Sequence, residues 1–272
     1  FKIVKTIFKI IIVSVLLFSF TNSNPAYNIE FEKGNYIPGE KLEYRLHYGF
    51  VTAGRAIISV ENGYYLVQDK SCYKARVYGW STGVFNLGFR IRDTWESFID
   101  TNTFKPLKAF RNIEEGRYKL MEDVIFDKEN NLARVMRKHP DKPKEENTYK
   151  IPENVHDIVS GFYELRRINF NKLKIGDTIT LKAFFDKQNY NFKVRYMGKG
   201  KLDIDAGKFN AIKLVPVMPK NGLFDGEESI KCWISDDKNK IPLMAEAEMF
   251  VGSVQLELTS YKGLKNPANV IK

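Results

Sequence analysis

The chain has 272 residues, of which 43 are lysine or arginine and 33 are aspartate or glutamate, giving a formal net charge of +10. Two cysteines and three histidines, widely spread along the chain, exclude a zinc site with the usual ligand spacing. A basic protein can bind nucleic acid. Here the basic residues are scattered among acidic ones and the N-terminus indicates export, so we expect no nucleic-acid partner.

The first 23 residues have the pattern of a secretory signal peptide. Three lysines precede an apolar run at residues 10–20, and small and polar residues follow it up to a cleavage point after Ser23. The run has 11 residues, whereas a membrane span needs about 20. We therefore predict a signal peptide over residues 1–23, whose removal lowers the net charge from +10 to +7. The mature protein is expected to be exported, periplasmic and soluble, not integral to the membrane.

Residues 24–272 alternate apolar and polar side chains over many short segments, which is the pattern of β-strands. Sequential short strands joined by turns form antiparallel sheets, and a sheet of about a dozen strands usually rolls up. We predict a mainly β fold, a single domain whose long antiparallel meander is rolled into a barrel-like or half-barrel body. The predicted strands are residues 42–48, 56–60, 65–67, 73–78, 88–99, 105–112, 118–126, 132–137, 178–185, 191–196, 201–205, 209–217, 229–235, 243–250 and 253–261.

Residues 138–150 are rich in lysine, proline and acidic residues and predict an exposed loop, so that two halves of the domain would meet near residues 138–155. In the segment that follows, Val155, Ile158, Val159, Phe162 and Leu165 recur at helical spacing. This periodicity predicts one short amphipathic helix near residues 155–168.

The two cysteines, Cys72 and Cys232, could pair in an oxidising compartment. Cys232 alternates with apolar neighbours, whereas Cys72 alternates with basic ones, so the two positions differ in character. The sequence leaves both a disulfide and two free thiols open.

Three segments of the chain together form a recognisable pattern. They are, in order, residues 38–44 with 48–49 and 53–54, residues 155–157 with Ser160, Phe162, Tyr163 and Arg166, and residues 233–237 with 241–243. This pattern resembles a bacterial exported family of unknown function, domain-of-unknown-function family 3108. The similarity runs over residues 32–262 and implies a periplasmic, β-rich, barrel-like or half-barrel protein with no established activity or catalytic residues. The chain departs from the family pattern at Gly161 and Glu164.

His156, Asp157 and Ser160 are the residue types of a hydrolytic triad. His156 and Ser160 lie four residues apart and share one helix face, but Asp157 points about 100° away from His156. A triad needs its acid on the far side of the imidazole. We therefore expect a polar helix start, in which Asp157 or His156 binds free backbone N–H groups. We predict no catalytic residues, metal or cofactor.

Aromatic residues suggest a binding site more than the acidic ones do. Trp80, Phe85, Phe89 and Trp95 surround a glycine-rich stretch at residues 79–88, and such rims can cover an apolar or sugar ligand, although core packing is the alternative.

The function we expect is a non-enzymatic binding or assembly module for an envelope lipid, glycan or membrane protein. Glu246 and Glu248 share one strand face, which keeps an envelope glycan hydrolase open as an alternative. A structural partner of an outer-membrane or surface-polysaccharide assembly is the other alternative.

Overall fold

The computed structural model of the chain describes residues 29–217, 229–248 and 252–271. The predicted signal peptide at residues 1–23 lies outside the described residues, as do the last two residues of the predicted strand at residues 243–250. The described residues form fifteen strands. They are β1 (Lys41–Tyr48), β2 (Val51–Val60), β3 (Tyr65–Val67), β4 (Lys70–Ser81), β5 (Arg92–Asp100), β6 (Pro106–Glu115), β7 (Tyr118–Asp127), β8 (Leu132–Lys138), β9 (Glu145–Lys150), β10 (Thr178–Phe185), β11 (Gln188–Ile204), β12 (Gly207–Pro216), β13 (Ile230–Ser235), β14 (Pro242–Glu248) and β15 (Ser253–Lys262).

All fifteen strands belong to one antiparallel sheet in which most strands pair with their neighbours in sequence. The spatial order runs from β10 through β15 to β1, then through β2 and β4 to β9, and β3 pairs with β4. Among the described residues no ladder joins the edge strands β9 and β10, so the rolled sheet is barrel-like but not closed by hydrogen bonds. The prediction of a mainly β, rolled antiparallel meander is confirmed.

The gap between β9 and β10 is bridged by the intervening chain and by side chains. His156 N donates to Lys182 O at 2.9 Å, and Phe184 N donates to His156 O at 2.8 Å. Farther along, Asp186 in the turn after β10 accepts a hydrogen bond from Arg137 Nη2 of β8 at 2.5 Å. These contacts hold the two edges of the sheet near each other.

The described residues contain two short α-helices, α1 (Gly83–Gly88) and α2 (Ile158–Leu165), and a 3₁₀ turn at Phe170–Lys172. Helix α2 is the predicted helix, but it is shorter than residues 155–168, because His156 pairs with β10 and Asp157 caps the first turn. The sequence predicted a single helix. Helix α1 was missed because its six residues begin and end in glycine and are too few to show helical periodicity.

Two strand predictions also needed correction. Residues 145–150, predicted as loop, form the edge strand β9, whose mostly exposed side chains show no alternation between buried and exposed positions. The predicted strands at residues 191–196 and 201–205 belong to the single strand β11, which ends at Ile204. Gly198 lies between them with a φ of +95°, where the pairing with β12 shifts its register.

Helix α2 lies inside the rolled sheet and packs against β4, β5 and β10. Its buried side chains join those of the inner face of the sheet, where alternate residues of strands such as β1, β5 and β7 are buried. In β1, for example, Leu42, Tyr44 and Leu46 are at most 2% exposed while their neighbours are partly exposed. The inner face and α2 together position the cavity described next.

Candidate functional site

A cavity of about 160 Å³ lies between helix α2 and the concave face of the sheet. Strands β1, β2, β4, β5 and β10–β15 contribute to its wall. The wall is almost wholly apolar, and Leu46, Ile58, Val77, Leu181 and Met244 are typical of its side chains. Apolar cavities on the order of 150 Å³ stay dry and take up apolar guests. The size and lining of this cavity therefore suit an apolar group.

Helix α2 contributes Gly161, Phe162 and Leu165 to the same wall. A Cβ atom added at Gly161 meets one atom beyond its own helix, the Cβ of His156, at 3.5 Å, which is an ordinary van der Waals distance. Glycine costs a helix about 1 kcal/mol relative to alanine. At this position it leaves space that a larger side chain would occupy.

The polar start of α2 is engaged in capping. Asp157 Oδ1 accepts hydrogen bonds from the backbone N of Val159 and Ser160 at 2.8 and 3.1 Å, and Ser97 Oγ donates to Asp157 Oδ2 at 2.6 Å. Burial raises the pKa of Asp157. His156 Nδ1 lies 3.3 Å from Ser160 Oγ, but Asp157 binds serines and backbone instead of the imidazole. The predicted polar helix start is confirmed, and the three residues do not form a triad.

A charged cluster lies beside the helix start. Lys105 Nζ donates to Glu164 Oε1 at 2.9 Å, and Arg167 Nη1 donates to Glu164 Oε2 at 2.5 Å. His156 Nε2 lies 3.1 Å from Lys105 Nζ and 3.7 Å from Glu164 Oε1. Burial opposes ionisation of Glu164, but its contacts with His156 and Lys105 outweigh burial and lower its pKa to about 2. Burial lowers the pKa of His156, against the opposing effect of Glu164.

Replacing Glu164 by glutamine is expected to remove much of the acid sensitivity of folding. The pKa of Glu164 is about 2 in the folded chain and about 4.5 in the unfolded chain, which therefore binds the proton first as the pH falls. The carboxylate contributes about 3 kcal/mol above pH 4.5, and this contribution disappears as the pH falls toward 2.

Urea unfolding between pH 2.5 and 7 measures this effect. The difference in free energy of unfolding between the wild type and Glu164→Gln should shrink steadily below pH 4.5. The control Asp141→Asn, at an exposed position, should show no such convergence. A difference that stays constant down to pH 2.5 would contradict the role assigned to Glu164.

A buried ion pair fixes α2 to the sheet. Arg166, at the C-cap of α2, donates from Nη1 and Nη2 to the two carboxylate oxygens of Glu40 at 2.6 and 2.9 Å. Both side chains are at most 1% exposed. Arg166 also donates to Asn239 O at 3.1 and 3.0 Å, and its guanidinium carbon lies 5.7 and 5.2 Å from the ring centroids of Tyr36 and Tyr163, which contact each other edge to face. Burial alone would lower the pKa of Arg166, but Glu40 raises it above its usual value.

The three sequence segments that carry the family resemblance meet at this ion pair. Glu40 belongs to the first segment and Arg166 to the second. The third segment contains Asp237, whose Oδ1 accepts hydrogen bonds from the backbone N of Asn239 and Lys240 at 2.8 and 3.0 Å and shapes the turn that presents Asn239 O. Glu40, Arg166 and Asp237 therefore help to hold α2 inside the sheet.

The structure separates the four aromatic residues proposed as a binding site. Trp95 is 6% exposed and lines the cavity from β5. Trp80 lies on the opposite face of β4 from the cavity-lining residues and stacks on Tyr78, with ring centroids 5.1 Å apart. Phe85 and Phe89, from and beside α1, pack against a cluster at one end of the barrel. Only Trp95 of the four lies in the described cavity wall.

The structure also locates the two cysteines and the acidic pair that the sequence analysis considered. Cys72 and Cys232 are both free thiols, and Cys232 lies in the cavity wall. Glu248 is exposed and pairs with Lys231 at 2.5 Å, and neither Glu248 nor Glu246 belongs to the described cavity wall.

In the described ranges no three or more metal-ligating side chains gather into a site. No helix formed by the described residues has the length and apolar character required to span a membrane.

The local sequence did not reveal the cavity, because its wall is assembled from ten strands and one helix. The only local signal was Gly161 in the middle of the helical pattern, where the chain departs from the family.

Solved structures share this architecture at low sequence identity. A beta-barrel-like protein of domain of unknown function DUF1849 from Brucella abortus has a TM-score of 0.55 and 11% identity, over 85% of this chain and 100% of that chain. This likeness shows a shared fold. Two others, a protein described as exported with a YmcC-like fold from Bacteroides fragilis and one described as a lipoprotein from Parabacteroides distasonis, have TM-scores of 0.38 and 0.32. Each is 11% identical over 85% of this chain and 99% of its own, and neither supports an inference.

No curated protein matches the chain significantly. A family model matches residues 43–259, which is most of the chain; Arg166 and Asp237 lie within this range, and Glu40 lies three residues before it. The resemblance in the sequence is thereby confirmed. The chain belongs to the family described as protein of unknown function DUF3108.

Proposed function

We propose that the protein is a non-enzymatic binding module whose cavity takes up the acyl chain of an envelope lipid. One observation carries the proposal, namely the nearly continuous apolar wall between α2 and the concave sheet. Transfer of an acyl chain from water into such a wall stabilises the complex by about 0.8 kcal/mol per CH₂ group. No covalent chemistry is needed for this function.

The chemistry of the wall favours a lipid over a glycan. Sugar hydroxyls need hydrogen-bond partners, because a buried polar group without one is costly. Two of the polar side chains at the cavity are already engaged, since Asp157 caps α2 and Arg166 binds Glu40. The acidic pair Glu246 and Glu248 lies outside the described wall, so the cavity lacks the paired carboxylates that a glycan hydrolase would place there.

The proposed location is the periplasm. It rests on the signal-peptide pattern of residues 1–23 and agrees with a lipid ligand, because membranes enclose that compartment. The partners proposed are therefore an envelope lipid and the membrane that supplies it.

Native mass spectrometry tests the proposal. The protein is expressed from the full 272-residue sequence, purified from the soluble fraction, and its intact mass defines its N-terminus. We expect one lipid per chain, released on denaturation, and one-to-one replacement by added palmitate. Maltoheptaose at the same concentration should form no adduct. Absence of any lipid adduct after incubation with an envelope lipid extract, or a glycan adduct in its place, would contradict the proposal.

A further inference from the structure

One end of the barrel presents large apolar side chains to solvent. Phe50, in the turn between β1 and β2, is 105% exposed, and Leu87 on α1 is 88% exposed. Val51 and Val84 beside them are 48% and 68% exposed. We name this set of four residues the apolar rim. Contiguous exposed apolar side chains mark surfaces that contact a membrane or another protein.

The apolar rim is held firmly by the fold. Thr82 N donates to Ala53 O at 2.9 Å and ties the start of α1 to β2. Phe85 turns inward from α1 and contacts Tyr48 with ring centroids 6.3 Å apart. Helix α1 therefore uses one apolar residue to anchor itself and leaves Val84 and Leu87 facing outward. The outward residues contribute little to the core.

Basic residues adjoin the apolar rim. Arg90 follows α1, and its carbonyl O accepts a hydrogen bond from Gly116 N at 2.8 Å, which places the turn at Arg117 beside it. Both arginines are exposed. The nearest acids in sequence are less accessible, since Asp93 is 2% exposed, Glu115 is 3% exposed and Glu114 is half-buried. Exposed apolar residues flanked by exposed arginines match the chemistry of an anionic lipid surface.

The apolar cluster beneath α1 borders the cavity. Phe85 and Phe89 pack on a cluster that includes Leu46 and borders Leu256, and both leucines also line the cavity. This cluster therefore connects the end of the barrel that carries the apolar rim with the cavity wall.

We propose that the apolar rim docks on an anionic lipid bilayer, with Phe50 and Leu87 in the interfacial region and Arg90 and Arg117 at the lipid phosphates. This inference rests on the proposed function, because docking would bring the cavity to the membrane that supplies its ligand. The occupant of the apolar rim is a lipid surface, and binding to it needs no protein partner.

Vesicle sedimentation tests the docking. The soluble protein expressed from the full sequence is mixed with vesicles of phosphatidylcholine alone or with one quarter phosphatidylglycerol. We expect binding to the anionic vesicles to weaken about tenfold or more in Phe50→Ser/Leu87→Ser. Arg90→Gln/Arg117→Gln should weaken it by a similar factor and reduce its salt dependence.

The matched control is Leu66→Ser/Ile175→Ser, which removes two side chains that are 74% and 72% exposed and lie outside the apolar rim. This control should sediment like the wild type. The proposal is overturned if the wild type stays in the supernatant with anionic vesicles, or if the rim variants and the control behave alike.

A second readout separates docking from ligand binding. Titration with a dansyl-labelled fatty acid in the absence of vesicles should be unchanged in Phe50→Ser/Leu87→Ser. Gly161→Leu should bind the fatty acid at least about tenfold more weakly and keep vesicle binding. If the wild type binds vesicles but not the fatty acid, the proposed cavity function is overturned. If it binds the fatty acid but not the vesicles, the docking is overturned.

Discussion

Replacing Arg166 by methionine is expected to lower the free energy of unfolding by about 3–5 kcal/mol, because it leaves the Glu40 carboxylate buried without its partner. Glu40 is 0% exposed, and Arg166 binds it through two hydrogen bonds. Total stabilities are about 5–15 kcal/mol, so the loss is a large share of the whole. Urea unfolding at pH 7 measures it, and an exposed arginine, Arg134→Met, serves as the control.

The double variant Glu40→Leu/Arg166→Met tests the reason for this loss. It removes both charges, and apolar replacement of a whole buried pair is often close to neutral. We expect it to be more stable than Arg166→Met. If the double variant is as unstable as the two single variants added together, the unpaired charge is not the cause. A loss below about 1 kcal/mol in Arg166→Met would contradict the bracing role of the pair.

Replacing Gly161 by leucine is expected to weaken fatty-acid binding by at least about tenfold, which corresponds to excluding roughly two methylene groups from the cavity. The new side chain would occupy space that Gly161 leaves open on the cavity side of α2. Titration with the dansyl-labelled fatty acid measures the change.

Gly161→Ala is the matched control for this substitution. Its Cβ meets only the Cβ of His156, at 3.5 Å, so it fits without displacing its neighbours. Binding should stay near the wild-type level while the free energy of unfolding rises by about 1 kcal/mol. Equal binding by the leucine and alanine variants would remove α2 from the ligand site.

The strands were predictable because one face of the rolled sheet is buried. In β1 the buried Leu42, Tyr44 and Leu46 alternate with partly exposed residues, and this period of two is visible in the sequence. Strand β9 escaped prediction because it lies at the sheet edge with most of its side chains exposed. Local alternation reports burial of one face, so it cannot reveal a strand that lacks a buried face.

The site was harder to predict than the fold, because it depends on strand register. Trp80 and Trp95 look equivalent in sequence, but Trp80 pairs opposite Arg92 on the outer face, whereas Trp95 pairs opposite Val77 on the inner one. The ion pair between Glu40 and Arg166 joins residues 126 positions apart, and no local pattern links them. The capping role of Asp157, which depends on neighbours in sequence, was predicted correctly.

Quenching of tryptophan fluorescence by dibromostearate tests most directly where the acyl chain binds. The chain has three tryptophans, so Trp80→Phe/Trp233→Phe retains Trp95 in the cavity wall. Trp95→Phe/Trp233→Phe retains Trp80 on the outer face. If the acyl chain lies in the cavity, the brominated lipid quenches Trp95 saturably, with one lipid per chain, and leaves Trp80 unquenched. Equal quenching of both residues, or quenching of Trp80 alone, would contradict an acyl-binding cavity beneath α2.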